Sequence, residues 1–500
     1  MLVADVLARF SPLMEEARVR FVTQQSNNRR SLDLVHQPRI LRDLRESGHV
    51  HRSVKAEIRE NLLARLRSGE PRFPGIVGFD DTVLPHLERA LLAGHDLVLL
   101  GERGQGKTRL IRTVAGLLDE WTPIVEGCEI NDHPYAPVCA RCRRLAAELG
   151  EELPVAWKHR DERYGEKLAT PDTSVGDLIG DVDPIKIAEG RTLGDPETIH
   201  YGLVPRTNRG IFSVNELPDL AERIQVSLLN VLEERDVQVR GYNLRLPLDL
   251  LLIASANPED YTNRGRIITP LKDRFGAEIR THYPRSVEDE LVLIRQEASI
   301  DWAGLGADLP EHLVEVIARF TRLVRESTAV DARSGVSARF AIAAAETASA
   351  AAVRRAAITG EERAVTRVCD LATVVSSLRG KVEFEVSEEG RETEILTHLL
   401  RRATAETFRS RLGGLDLTAL LEKFSSGGQI ESGELVPAGE LLRRVGPVDG
   451  LAKLMAKLDM GSGDESPGHA AAALEFALEG LYLMRRLSKD DLDGVAVYRT

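Results

Sequence analysis

The stretch LVLLGERGQGKTRLIRTVAGLL, Leu97 to Leu118, decides the fold. Four apolar residues run into G-x-x-x-x-G-K-[ST] at Gly101–Thr108, and an amphipathic pattern follows at once. A strand, a glycine loop and a helix in that order turn backbone amides inward as a phosphate cradle. Gly101, Glu102, Arg103, Gly104, Gln105 and Gly106 form the loop, Lys107 reaches β- and γ-phosphates, and Thr108 offers a hydroxyl to Mg2+. A glycine-rich turn without a ligand is the alternative, and the strand and helix flanks argue against it.

Two further apolar runs end in polar residues. IFSVNELPDL, Ile211 to Leu220, delivers Asn215 and Glu216, and LLLIASANPED delivers Asn257. Both would lie at the C-terminal edge of a parallel sheet beside the phosphate loop, where such sheets bind ligands. A strand ending in Asp-Glu holds magnesium-bound water and activates the attacking water; Asn215 keeps an acceptor there and loses the charge. The runs Leu97–Leu100, Ile124–Val125, Ile211–Val214, Leu250–Ala254 and Glu278–Thr281 read as strands alternating with helices. The fold class is therefore α/β, a five-stranded, mostly parallel sheet with helices on both faces.

A chain of 500 residues exceeds one ordinary hydrophobic core. The expected division is a helical N-terminal extension at 1–70, a nucleotide-binding core at 71–285 with an insertion at about 126–209, a helical lid at 286–380 and a mostly helical region at 381–500. Within the last of these, KVEFEV reads as an isolated alternating segment and SSGGQIESGE as a loop. A net charge of −12 disfavours a general phosphate-backbone binder, so nucleic acid is not the expected partner. Asp5 and Arg9 interrupt the first apolar stretch and no run approaches a membrane span, so a cytoplasmic location without membrane contact is expected.

FPGIVGFDD, the phosphate loop, GIFSVNELPDL, ASANPEDYTNRGRIITPLKDRFG and SGVSARF, in this order, resemble an AAA+ ATPase of the magnesium chelatase subunit I and MoxR-type branch. The likeness covers about Phe73 to Arg339. It implies ATP and Mg2+ as cofactors, a Walker A loop at Gly101–Thr108, a Walker B pair at Asn215 and Glu216, and a first sensor at Asn257. Arg274 in LKDRFG matches the arginine finger that serves a neighbouring subunit, and Arg339 matches the second sensor on the lid, with Arg333 as its fallback. The resemblance also implies a homo-oligomeric, hexameric ring and a partner with a von Willebrand A domain.

Two insertions project from such a ring in this branch: the long segment before the Walker B strand, and DVQVRGYNLRLPL, a hairpin pattern around Gly241-Tyr242-Asn243. The first contains GCEINDHPYAPVCARC. A Cys-x-x-Cys knuckle, Cys139 and Cys142, with Cys128 and His133 suits a tetrahedral Cys3His Zn2+ site; unpaired structural thiols and a redox pair are the alternatives. Cys369 reads as a core thiol.

The expected function is an ATP-driven ring motor that remodels or activates a partner protein, in a narrower version the motor of a metal chelatase. A transcriptional activator of the alternative sigma factor shares the fold, yet its GAFTGA-type loop is missing. A nucleotide-gated scaffold with little hydrolysis is the reading Asn215 favours. With Glu216, Lys107 and Asn257 intact, a slow but real ATPase with a weakened hold on magnesium is expected.

Overall fold

The computed structural model describes residues 37–189, 196–233, 246–258, 266–301, 304–331, 335–424, 428–460, 466–492 and 495–499. Arg333, residues 236–245 of the expected hairpin and the first interrupted apolar stretch lie outside the described residues.

The helices α1 (Leu41–Glu46), α2 (Val54–Ser68) and α3 (Val83–Leu92) lead into β1 (Leu97–Leu100), α4 (Lys107–Val114), β2 (Trp121–Val125), α5 (Ala140–Leu149), β3 (Val155–His159) and β4 (Tyr164–Leu168). A short β5 (Gly180–Val182) and β6 (Ile199–Tyr201) pair with each other before β7 (Gly210–Asn215), α6 (Glu222–Glu233), β8 (Leu250–Ala256), α7 (Thr269–Arg274) and β9 (Ala277–Arg280). The central sheet has the order β4-β7-β8-β1-β9, and every pairing in it is parallel.

Successive side chains on a strand face opposite ways, and the apolar runs divide accordingly. Val98 and Leu100 of β1 enter one core with Leu250, Leu252 and Ala254 of β8, whereas Leu97 and Leu99 enter the other with Leu251 and Ile253. A strand buried on both faces has to be apolar throughout, which is why these strands stand out in the sequence. Residues 54–62, expected in a separate extension, belong to the second of these cores through Val54, Ile58 and Leu62.

One expected strand lies elsewhere. Ile124–Val125 does not enter the central sheet; it belongs to β2, which pairs antiparallel with β3 in a separate two-stranded ribbon. Pro123, which cannot donate to a ladder, suits a ribbon and not a sheet centre. The fifth strand is β4, with the sequence YGEKL. It occupies an edge and is only partly buried, so it carries no apolar run to announce it.

Beyond the sheet, α8 (Val287–Glu297), α9 (Glu311–Glu326), α10 (Ala338–Thr359), α11 (Val368–Leu378) and α12 (Glu392–Leu412) form the expected helical region. KVEFEV is not a strand: Arg379–Lys381 and Val386–Glu388 are 3-10 turns, and Phe384 makes only an isolated bridge to Val330. A C-terminal part follows with β10 (Ile430–Gly433), α13 (Ala438–Val445), α14 (Leu451–Lys457), α15 (Pro467–Leu483), β11 (Ser488–Leu492) and β12 (Val495–Arg499). Its antiparallel sheet β10-β12-β11 was not expected, because β10 lies inside the Gly- and Ser-rich SSGGQIESGE. One apolar core runs continuously from Ile294 to Tyr498, and the buried pairs Arg355–Asp370 and Arg367–Glu475 lie between α10, α11 and α15. Among the described residues no helix is long and apolar enough to cross a membrane.

Candidate functional site

The loop from Gly101 to Gly106 leaves the C-terminal end of β1 and feeds α4. Gly104 and Gly106 both take φ 75°, a left-handed conformation that costs glycine nothing. Two positions of this loop could not hold a side chain: a Cβ on Gly101 would collide with the Thr281 hydroxyl, and one on Gly104 with Ser337. Neighbours fix the loop from outside, since Thr281 donates to Gln105 Oε1 at 2.7 Å and the Tyr283 hydroxyl donates to the Arg103 carbonyl at 2.7 Å.

Lys107 is buried, and its ammonium turns inward. It donates to the carbonyls of Gly101 and Glu102, the latter at 2.8 Å, and to Asn257 Oδ1 at 2.8 Å. A buried ammonium has to be paired, and carbonyl oxygens are acceptors that anionic phosphate oxygens outcompete. The contact also puts the polar end of β8 directly against the phosphate loop, because Leu100 and Ala256 are register partners in adjacent strands. Thr108, the next residue of α4, is half-buried.

Asn215 closes β7 and is buried. Its Oδ1 accepts from the Ser255 hydroxyl at 3.2 Å and its Nδ2 donates to Glu166 Oε1 at 2.7 Å. Glu166 stands on β4, beside β7. Arg112, one turn beyond Thr108 on α4, donates to it with both Nε (2.9 Å) and Nη2 (3.0 Å), and Tyr164 adds its hydroxyl at 3.0 Å. Partial burial pushes the Glu166 carboxyl up, but the hydrogen bonds from Arg112, Tyr164 and Asn215 outweigh it and hold the group below the usual carboxylate range. A carboxylate therefore does stand beside position 215, contributed by the neighbouring strand.

Glu216, the next residue, has φ 56° and ψ 47° and is half-buried. A non-glycine residue in the left-handed region costs about 1–3 kcal/mol and is characteristic of functional positions. That turn swings the Glu216 side chain out of the strand alternation, and Ser255 Oγ holds its amide at 3.3 Å.

The residues 192–274 match the family model of the Sigma-54 interaction domain. The magnesium-chelatase 38 kDa subunit of Rhodobacter capsulatus is 29% identical over 271 residues, which is 52% of this chain and 72% of that subunit. The magnesium-chelatase subunit ChlI of Guillardia theta is 30% identical over 215 residues, 41% of this chain and 55% of that one. Among solved structures, a cryo-EM-based complex between subunits BchI and BchD of magnesium chelatase matches at 22% identity, with a TM-score of 0.35, over 65% of this chain and 98% of that one. The chain is an AAA+ ATPase related to the magnesium chelatase I subunits. Such an ATPase implies ATP and Mg2+. Among curated relatives, the chain spans little more than half to about three quarters of each one's length.

In this ATPase the two expected arginines stand apart from the buried polar cluster. Arg339 lies in the first turn of α10 and is exposed; Ser337 Oγ caps its amide at 3.2 Å, and the Ala338 amide donates to the Gly104 carbonyl at 3.3 Å. The start of α10 thus rests on the phosphate loop. Arg274 ends α7, is exposed, and pairs with the adjacent Asp273 at 3.0 Å.

The cysteine loop of the insertion departs from its expected ligand set. Cys128, Cys139, Cys142 and Asp132 are buried and bring their ligand atoms within 4.8 Å of one another. Thiol contacts from Cys139 and Cys142 hold Cys128 far below the usual thiol range, while contact with Cys128 pushes Cys139 and Cys142 up. His133 is not among them. Its Nδ1 accepts from the Tyr135 amide at 3.0 Å, its Nε2 faces His49 Nε2 at 3.3 Å, and its ring stacks in a pile with His49, His51 and Tyr135. The reason is local: Asn131 takes φ 56°, reversing the chain so that Asp132 and His133 face different neighbours. Cys369 is half-buried in α11, away from this group.

Sequence reasoning missed Glu166, Ser255, Thr281, Tyr283 and Asp132. Polar strand-end residues such as Thr281 carry a positional signal, since β9 ends beside the loop. Glu166 carries none, being one acid in a polar edge strand.

Proposed function

We propose that this chain is the ATP-hydrolysing motor of a homo-oligomeric, hexameric ring that remodels or activates a partner protein bearing a von Willebrand A domain in the cytoplasm. The observation that carries this reading is the junction of three strand ends: Lys107 bonded to Asn257, with Asn215 and Glu216 on the next strand. The residues fit a nucleotide: the loop tolerates no Cβ at Gly101 or Gly104, and Lys107 is turned over acceptors that phosphate can replace.

In this reading Gly101–Lys107 hold the phosphates, Thr108 and Asn215 hold magnesium through its waters, and Asn257 orients the attacking water. ATP with magnesium supplies the phosphoanhydride bond and the divalent charge. Glu216 takes the proton-accepting role, and its turned backbone aims it away from the sheet. Glu166 restores the negative charge that an Asp at position 215 would have given. Arg274, exposed at the end of its helix, serves the neighbouring subunit, and Arg339 senses the nucleotide from the lid. In the expected division at 1–70, 71–285, 286–380 and 381–500, the lid follows directly after the core. The cysteine loop completes the reading as a structural zinc site, and metal or cofactor insertion is the narrower form of the partner's task.

The test is ATP turnover of the assembled protein against Glu216→Gln, with capture of bound partners in ATP. Turnover lost in Glu216→Gln with ATP retained supports the motor; no turnover in the wild type at saturating magnesium leaves a nucleotide-gated scaffold. The Sigma-54 interaction domain match favours a second reading, a transcriptional regulator, although it covers only residues 192–274. ATP-dependent binding to the alternative sigma factor would select that reading.

A further inference from the structure

The base of the central sheet, at the opposite end from the phosphate loop, is bound to the cysteine loop by a dense set of buried polar contacts. Asn131 Nδ2 donates to the carbonyls of Arg206 (2.8 Å) and Asn208 (3.0 Å), and Asn208 Nδ2 donates back to the Ile130 carbonyl at 2.9 Å. Asn208 Oδ1 in turn accepts from the Asp249 amide at 2.8 Å. Buried Arg209 donates to the carbonyls of Pro123 (2.6 Å) and Asn131 (3.3 Å). Residues 208 and 209 immediately precede β7, and Asp249 immediately precedes β8. The loop is thereby tied to the roots of the two strands whose far ends carry Asn215, Glu216 and Asn257.

Within that loop Asp132 is 1% exposed and its two oxygens differ. Oδ2 accepts from the amides of Val138 (3.0 Å) and Cys139 (2.9 Å), which fixes the carboxylate's orientation. Oδ1 is buried with no hydrogen-bond partner, and a carboxylate oxygen of Asp132 lies with the three sulfurs. An unpaired buried carboxylate oxygen is strongly disfavoured unless something positive meets it. The sulfurs already accept from donors that suit thiolates: the Asp132 amide to Cys128 Sγ at 3.2 Å, the Cys142 amide to Cys139 Sγ at 3.3 Å, and Arg141 toward Cys142 Sγ at 3.9 Å.

Resting on zinc in the cysteine loop, we propose that its fourth ligand is Asp132 through Oδ1, giving a Cys3Asp site that braces the roots of β7 and β8. Tetrahedral zinc with Zn–S bonds of about 2.3 Å needs sulfurs about 3.8 Å apart, which donor atoms all within 4.8 Å can meet. That spacing is too tight for an iron–sulfur cluster, which spreads its thiolates over more than one iron. Three cysteines also leave an odd thiol in any disulfide scheme, whereas one metal ion engages all three. The site is closed, with every donor buried, as structural zinc sites are. Asn131, Asn208 and Arg209 hold the loop that carries these ligands and link it to the sheet.

The test uses the full-length protein purified without added metal, zinc content by mass spectrometry, and chelator competition. The wild type is expected to carry one zinc per chain, and chelation should lower its melting temperature and open the 126–209 insertion to protease. Asp132→Ala should weaken zinc more than about tenfold, since losing even a group that only hydrogen-bonds a ligand costs that much. His133→Ala should keep it. Asp132→Cys, which supplies another soft donor, should retain zinc and so guards against reading a folding defect as ligand loss. Zinc-free, folded wild type would remove the zinc reading itself. Zinc retained in Asp132→Ala, or lost in His133→Ala and not in Asp132→Ala, would overturn the Asp132 assignment and leave zinc standing.

Discussion

The Asn215 amide donates to the Glu166 carboxylate at 2.7 Å, joining the end of β7 to a charged residue on the edge strand beside it. The charge absent from position 215 thus reappears one strand away, kept ionised by the bidentate Arg112 and the Tyr164 hydroxyl. Glu166→Gln is accordingly expected to raise the magnesium needed for half-maximal turnover by about 10–100-fold while leaving magnesium-free nucleotide binding unchanged. Titration of turnover against magnesium checks it. An unchanged midpoint would reduce Glu166 to a partner of Arg112.

The same geometry sets the outcome of restoring the usual acid. Asn215→Asp places a second carboxylate against Glu166 and removes the hydrogen bond between them, so without magnesium the variant should melt below the wild type. Magnesium with ATP should stabilise it more than it stabilises the wild type, because a divalent ion relieves the repulsion. Asn215→Asp combined with Glu166→Gln should melt like the wild type. Melting curves with and without magnesium decide this, and equal shifts in all three proteins would contradict the pairing.

Glu216 offers a trade between stability and turnover. Its φ of 56° is strained for any side chain but free for glycine. Glu216→Gly should abolish turnover, retain ATP, and raise stability by up to about 1 kcal/mol in urea unfolding. Lost activity with lost stability would mean that the carboxylate, not the backbone, governs the local energetics.

Assembly dependence is read from Arg274, exposed at the end of α7 beside its ion-pair neighbour Asp273. Arg274→Ala should bind ATP normally and turn it over about 10³–10⁵-fold more slowly. Mixing it with Lys107→Ala chains should restore part of the rate, since each supplies what the other lacks. Verified mixed rings with no restored turnover would rule out a role across subunits.

What the sequence made legible follows from burial. β1, β7 and β8 are covered on both faces, so they read as mainly apolar runs broken only by Ser213 and Ser255, and the residues at their ends are found by following each run to its last apolar position. β4 is a half-exposed edge, and β10 sits in a glycine-rich segment; neither has a pattern that differs from a loop. In the cysteine loop the residue types pointed to a metal, but whether Asp132 or His133 lies beside the thiols depended on the backbone around Asn131: Asp132 lies with the sulfurs and His133 in the histidine pile. Composition cannot carry that information. Glu166 was invisible for a related reason: its meaning comes wholly from register, which sets Glu166 opposite Ser213, two residues before Asn215.

His312 makes the helical region sensitive to acid. It lies in α9, fully buried against Phe476 at 4.6 Å between ring centroids, and neither ring nitrogen has a hydrogen-bond partner within the protein. Burial first, and then the nearby Arg411 charge, push its pKa down to about 3. The imidazole is therefore neutral when folded, whereas in the unfolded chain it takes up a proton near pH 6.5. Between those values the unfolded state binds the extra proton, so stability falls as pH drops below about 6.5, by about 1.4 kcal/mol per pH unit for this single site. Above that value the residue contributes no slope. His312→Leu removes the titration and two unsatisfied nitrogens together, so it should be at least as stable as the wild type at pH 7 and lose less stability on going to pH 5. Urea midpoints at the two pH values measure the difference, and parallel losses in both proteins would show that other groups carry the acid sensitivity.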